Sequence, residues 1–154
     1  MSYFKKIILI FIKNPLNIFL YRRRFLRIET FGESMEPNFF SGEFYLVKKN
    51  FNPYLFKRFD IVVIHCEKHN SLHLKRIIGI NKENISYKKG ILNINGKKIL
   101  EKNVIHNKKI NVSIILGENE YFVMSDNREN YNVNCDSINT GPVKIDHVIG
   151  KVII

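Results

Sequence analysis

From Ile28 onward the chain alternates short apolar runs with polar turn signals, and no stretch repeats apolar residues at helical spacing for a convincing length. The runs EFYLVKK, DIVVIH, LHLKRIIGI, ENISYKK, ILNINGKKIL, NVSIIL, EYFVMS and DHVIGKVII are rich in β-branched and aromatic residues, which suit a pleated surface, and they predict strands. Asn95-Gly96, between LNI and KKIL, is the firmest hairpin signal, because both positions tolerate positive φ and the turn's twist matches antiparallel partners. The pattern therefore predicts an all-β domain of antiparallel sheets over residues 28–154, a sandwich or a partly closed barrel.

Residues 1–27 have another character. KKIILIFIKNPLNIFLYRRR is the most apolar part of the chain, yet Lys13, Asn14, Pro15 and Asn17 interrupt it. A helix from Ile7 to Tyr21 would reach only about 22 Å against a hydrocarbon core of about 30 Å. Pro15 favours two short helical pieces, and Lys5, Lys6, Arg22, Arg23, Arg24 and Arg27 would meet lipid headgroups. The segment predicts a short apolar helical anchor for membrane lipid, lying in the surface or spanning marginally. No small-x-small site follows it, as a cleaved secretory signal would require. A second apolar stretch, NFNPYLFKRF, is suited to a bilayer interface.

The length of 154 residues suits one domain with its own core. The formal charge of +11 would ordinarily favour a polyanionic partner, but it is spread among Asn and Ile, which AT-rich codons also favour, so no nucleic acid is expected. Cys66 and Cys135 form no CxxC pair and read as two unpaired, partly buried thiols. His65, His69 and His73 are spaced four apart, but they fall on a hairpin in which His65 would face His73, and no metal or cofactor is expected.

The chemistry centres on FGESMEPNFF, residues 31–40. Ser34 stands between Gly32 and Pro37, and a serine hydroxyl needs a neighbouring base to become a nucleophile. No histidine stands in a recognisable triad context. Lys75, among Leu74, Ile77 and Ile78, would lose solvation in a strand and with it part of its affinity for the proton. Arg76 points to the opposite face, free to make a structural ion pair. In EYFVMSDNREN an aromatic strand runs into a loop whose Asp126, Asn127 and Arg128 suit a rigid support.

In their order, GESMEP, RFDIVVI, LKRIIGI, LNINGKKILE, GENEYFVMSDNRE and GPVKIDHVIGKV resemble the blocks of type I signal peptidases, most of all the short Gram-positive kind, over about residues 28–152. The resemblance implies that family's all-β catalytic domain and a Ser/Lys-dyad endopeptidase that cuts signal-peptide-bearing preproteins after small residues. It implies Ser34 as nucleophile and oxyanion donor, Lys75 as general base, and Arg76 with Asp126 as a supporting ion pair. Phe31, Met35, Phe39 and Leu74 would lie near the pockets for substrate side chains. Gly32 stands where some relatives carry a hydroxyl donor. Ser125 replaces a Gly, and Tyr131 stands where some relatives have a Ser near the Lys amine.

By the same resemblance the protein is expected to be a monomer at the cell membrane, with its catalytic domain on the extracytoplasmic face. The basic residues Arg22 to Arg27 would instead hold that end in the cytoplasm. The rival reading is a catalytically impaired, membrane-bound peptide-binding module of the same fold.

Overall fold

The computed structural model describes residues 23–49, 56–129 and 135–153. The strands are β1 (Phe25–Glu29), β2 (Phe44–Lys49), β3 (Ile61–Cys66), β4 (Ser71–Gly79), β5 (Asn84–Lys88), β6 (Ile91–Ile94), β7 (Lys97–Ile99), β8 (Asn111–Ile115), β9 (Glu120–Met124), β10 (Val143–Lys144) and β11 (Val148–Ile153). A single-turn helix, α1 (Ser137–Thr140), and a 3₁₀ turn, Ile145–His147, are the short helical pieces between β9 and β11. The strand pairs are antiparallel, in a larger sheet of order β1-β2-β11-β3-β4-β9-β10 and a smaller one of order β7-β6-β5-β8.

The all-β expectation is met, strand by strand, for the runs from EFYLVKK to DHVIGKVII. The β6–β7 turn has Asn95 at φ 50° and Gly96 at φ 77°, the positive pair the hairpin needs. β11 closes the larger sheet by entering between β2 and β3. There a Cβ on Gly150 would lie 2.4 Å from the Lys48 carbonyl oxygen, so only glycine allows the approach.

Among the described residues, three apolar clusters hold the sheets. One gathers Val62, Ile64, Ile77 and Val123 with the residues of the β10–β11 corner, and a second joins Ile78, Phe122 and Met124 to Ile85, Tyr87 and Leu92 of the smaller sheet. The third packs Met35 and Phe39 on Val47, Val63 and Val152, tying the Ser34 segment to the larger sheet.

Several expectations change. Phe25, Leu26 and Arg27, counted above with the leading segment, pair with Lys48, Val47 and Leu46 as the start of β1. The apolar helical anchor proper falls on residues 1–22, outside the described residues. Among those described, no helix is long and apolar enough to cross a membrane. Of the second apolar stretch, 50–55 is likewise outside, while Phe56 is buried in the first cluster.

Cys66 and Cys135 are not two unpaired thiols but form a disulfide, because the end of β3 lies against the segment entering α1, with Cα atoms 6.3 Å apart. His65 does not face His73. The register pairs Ile64 with His73 and His65 with Leu72, and this one-residue offset sends the two rings to opposite faces.

Candidate active site

Ser34 sits in a loop closed on itself between β1 and β2. Thr30 Oγ1 donates to the Phe40 carbonyl at 2.6 Å, Gly42 N–H to the Thr30 carbonyl at 2.7 Å, and Gly32 N–H to Ser41 Oγ at 3.2 Å. Gly32 has φ +87°, and a Cβ there would meet nothing within 4 Å, so the position requires glycine for its dihedral rather than for close approach. Phe39 N–H returns to the Met35 carbonyl at 3.0 Å, a helical turn that aims both side chains into the core and leaves Ser34 half-buried at its rim.

The loop is docked on the segment after β9. Asn127 N–H donates to the Ser34 carbonyl at 2.9 Å, and Asn38 Nδ2 donates to Asp126 Oδ2 and to the Asn103 carbonyl, both at 2.8 Å. Among the described residues no group accepts the Ser34 N–H, and Ser34 Oγ makes no hydrogen bond.

Lys75 is fully buried on β4. Its Nζ donates to Ser125 Oγ at 2.8 Å and lies 3.3 Å from Asp136 Oδ1. Ser125 in turn donates through Oγ to Asp136 Oδ1 at 2.7 Å and through its backbone N–H to Oδ2 at 3.0 Å. Burial pulls the Lys75 amine below the ordinary lysine range, and the Asp136 carboxylate opposes that fall without cancelling it. An amine so placed exchanges its proton more readily than a surface lysine does.

The next rung of the same ladder carries the support. Arg76 pairs with Met124 across β4 and β9, so Lys75 and Arg76 meet Ser125 and Asp126 in turn as the strands part. Arg76 grips Asp126 through Nε at 2.7 Å and Nη2 at 2.6 Å, and Nη1 donates to the Phe59 carbonyl at 3.1 Å. Arg128, also buried, donates to the Ser125 carbonyl at 3.2 Å, grips Glu101 with both terminal nitrogens and lies over the Tyr87 ring at 4.7 Å.

Beside Ser34 runs a groove of about 590 Å³, whose wall includes Phe31, Met35, Phe39 and Leu74. Phe31 is 79% exposed at its lip. Its floor is the first half of β4. There, among the described residues, Ser71 to Leu74 pair only with β3, since the ladder to β9 begins at Arg76. Among the described residues, that edge of β4 is thus open where it lines the groove.

A profile of the family described as signal peptidase, peptidase S26, matches residues 3–154. The chain belongs to this family. It is 38% identical to signal peptidase I P of Bacillus subtilis subsp. natto over 112 residues, covering 64% of this chain and 60% of that protein. It is 33% identical to signal peptidase I of Bacillus caldolyticus over 137 residues, covering 79% and 73% respectively. The crystal structure of a signal peptidase I from Enterococcus faecalis superposes with a TM-score of 0.55 at 28% identity, covering 64% of this chain and 97% of that one.

Within the signal peptidase frame, the structure brings Ser34, Gly32, Met35, Phe31 and Phe39 into one loop, and Lys75, Arg76 and Leu74 onto one strand. Asp126, Asn127 and Arg128 stand in the segment that contacts both. Tyr131 lies outside the described residues. Sequence reasoning gave Asn38 no role, and it treated Ser125, and the Asp136–Ser137 pair set off from Asn130 by extra residues, only as departures from the family pattern. An acid and a hydroxyl that end up beneath a buried lysine carry no local signature. The available signal was that a buried ammonium needs polar partners, which have to come from the loop after β9.

Proposed function

We propose that this chain is a membrane-associated serine endopeptidase that removes N-terminal signal peptides, or the leader of a particular precursor, after small residues by a Ser34/Lys75 dyad. The observation that carries this reading is the complete burial of the Lys75 amine beside the segment that holds the Ser34 carbonyl through Asn127. Neutral Lys75 Nζ takes the Ser34 hydroxyl proton as Oγ attacks the scissile carbonyl. The Ser34 N–H faces the oxyanion that forms. Lys75 then gives the proton to the departing amine, leaving an acyl-enzyme, takes a proton from the water that attacks it, and returns that proton to Ser34 Oγ as the ester bond breaks. Ser125 Oγ and Asp136 stabilise the transient ammonium.

The substrate is an extended segment pairing with the open edge of β4, its small side chains lodged against Met35, Phe39 and Leu74. Exposed Phe31, Phe40 and Phe44 beside the groove, with residues 1–22, bring the site to the bilayer surface that holds the precursor. The test is cleavage of a precursor carrying Ala at the first and third positions before the bond. Ser34→Ala and Lys75→Ala should each abolish it, and full activity in both would end the proposal.

A second reading, the peptide-binding module without turnover, is favoured by one observation. Lys75 spends its hydrogen bond on Ser125, and Ser34 Oγ has none among the described residues. Mass spectrometry of substrate-treated protein separates the two: a Ser34 acyl adduct excludes the module.

A further inference from the structure

Sequence spacing directed attention to His65, His69 and His73 as a trio, and the register dissolves it: His65 turns away to Asn70, 3.1 Å from its Nε2, and to the His147 ring. The fold assembles a different set. Cys66 ends β3, His69 occupies the turn that follows, His73 lies on β4, and Cys135 enters from the segment before α1. One donor atom from each of these four residues falls within 4.8 Å of the other three. His69 Nδ1 lies 3.2 Å from Cys135 Sγ, and the His69 and His73 ring centres are 6.0 Å apart.

Two thiol sulfurs and two imidazole nitrogens are the donor set of a closed, tetrahedral zinc site. Zinc–sulfur bonds of about 2.3 Å and zinc–nitrogen bonds of about 2.0 Å put the ligand atoms of such a site roughly 3.3 to 3.8 Å from one another. The outer limit of the present set, 4.8 Å, is about 1 to 1.5 Å beyond that, and the two sulfurs, bonded to each other in the disulfide, move apart once it is reduced. Both sulfurs are buried, His73 is half-buried and His69 is exposed, so the site has a dry floor and an open entrance. Ser71 Oγ, 2.9 Å from His73 Nε2, steadies the ring as outer-sphere partners do.

We propose that, once the Cys66–Cys135 disulfide is reduced, Cys66, His69, His73 and Cys135 bind one zinc ion. The step balances with a dithiol as reductant. It transfers two electrons and two protons to the disulfide and becomes a disulfide itself, and the two thiols so formed lose their protons as zinc binds. Disulfide and metal are mutually exclusive occupants of one position, and the inference stands whether or not Ser34 and Lys75 cut a peptide. Cys135 immediately precedes Asp136, so either occupant also clamps the segment that carries this partner of Lys75.

The test uses the full chain, with and without a dithiol, against zinc and cobalt(II) alone. Reduced protein should retain one zinc per chain after gel filtration. Its cobalt form should show thiolate-to-metal charge transfer together with the intense visible bands of a tetrahedral site, and the oxidised chain should show neither. His69→Ala and His73→Ala leave the disulfide intact, so they can be folded oxidised and then reduced. Each should weaken zinc roughly 100-fold or more, at or beyond the upper end of what lost outer-sphere partners cost. The proposal is overturned if the reduced chain holds no zinc, if the oxidised chain binds it equally well, or if both histidine variants retain full affinity.

Discussion

Lys75 Nζ donates a hydrogen bond of 2.8 Å to Ser125 Oγ, and Ser125 passes its own proton to Asp136 rather than back to the amine. The hydroxyl is therefore an acceptor towards the lysine, which favours the charged form just when Lys75 would take up a proton. It also fixes the amine's direction, since a buried ammonium with one short bond has little freedom to turn.

Ser125→Ala should lower kcat about tenfold, the lower end of what a hydrogen bond to a charged group contributes, with KM nearly unchanged because Ser125 is not part of the groove wall. Ser125→Thr, which keeps the hydroxyl, should recover part of the loss. Steady-state kinetics on a peptide substrate checks this, and an effect confined to KM would contradict it.

In the proposed dyad Lys75 would act as a base only when neutral, and burial holds its pKa below the ordinary value. The sign follows: kcat/KM rises with pH and levels off below the range of a free lysine, about 10.4. Asp136 pulls the other way by favouring the ammonium, so Asp136→Asn should move the rising limb to lower pH while reducing the plateau. A limb that moves to higher pH would show that Asp136 is not the opposing charge.

The Arg76–Asp126 fork is two bonds wide, and a lysine offers only a point charge. Arg76→Lys should cost about 1 to 3 kcal/mol of stability, as for a charged hydrogen bond lost from a buried partner, and Asp126→Ala more, because it strands the guanidinium and frees Asn38 as well. Urea denaturation of the two variants measures the order.

Gly150→Ala drives a methyl group against the Lys48 carbonyl oxygen, where backbone rather than a flexible side chain stands in the way. A loss of about 1 to 3 kcal/mol or more is expected, with β11 loosened from β2. Faster amide exchange in β2 and β11 than in the smaller sheet would report it.

Strand identity was legible because period-two alternation and β-branched composition are local, and the Asn95-Gly96 turn because its dihedrals are a property of two residues. Ser34 and Lys75 stood out through neighbours in sequence, a Gly and a Pro for one and apolar flanks for the other. β1 was only partly seen, since Phe25 to Arg27 follow directly on an apolar segment of similar composition. Ser125 and Asp136 were hidden for the opposite reason. They are 50 and 61 residues from Lys75, and only the pairing of β4 with β9 and the return of the chain just before α1 bring them beneath it.

The amino-acid order by itself determined the element types, the family-like succession of blocks and the candidate nucleophile and base, because propensity, turn dihedrals and motif spacing act over a few residues. The tertiary structure alone decided which polar groups share the buried amine. It also decided that Cys66 meets Cys135, and that His69 and His73, but not His65, stand beside them. These are outcomes of strand register and chain crossing, and a shift of one residue in a ladder sends every side chain to the other face.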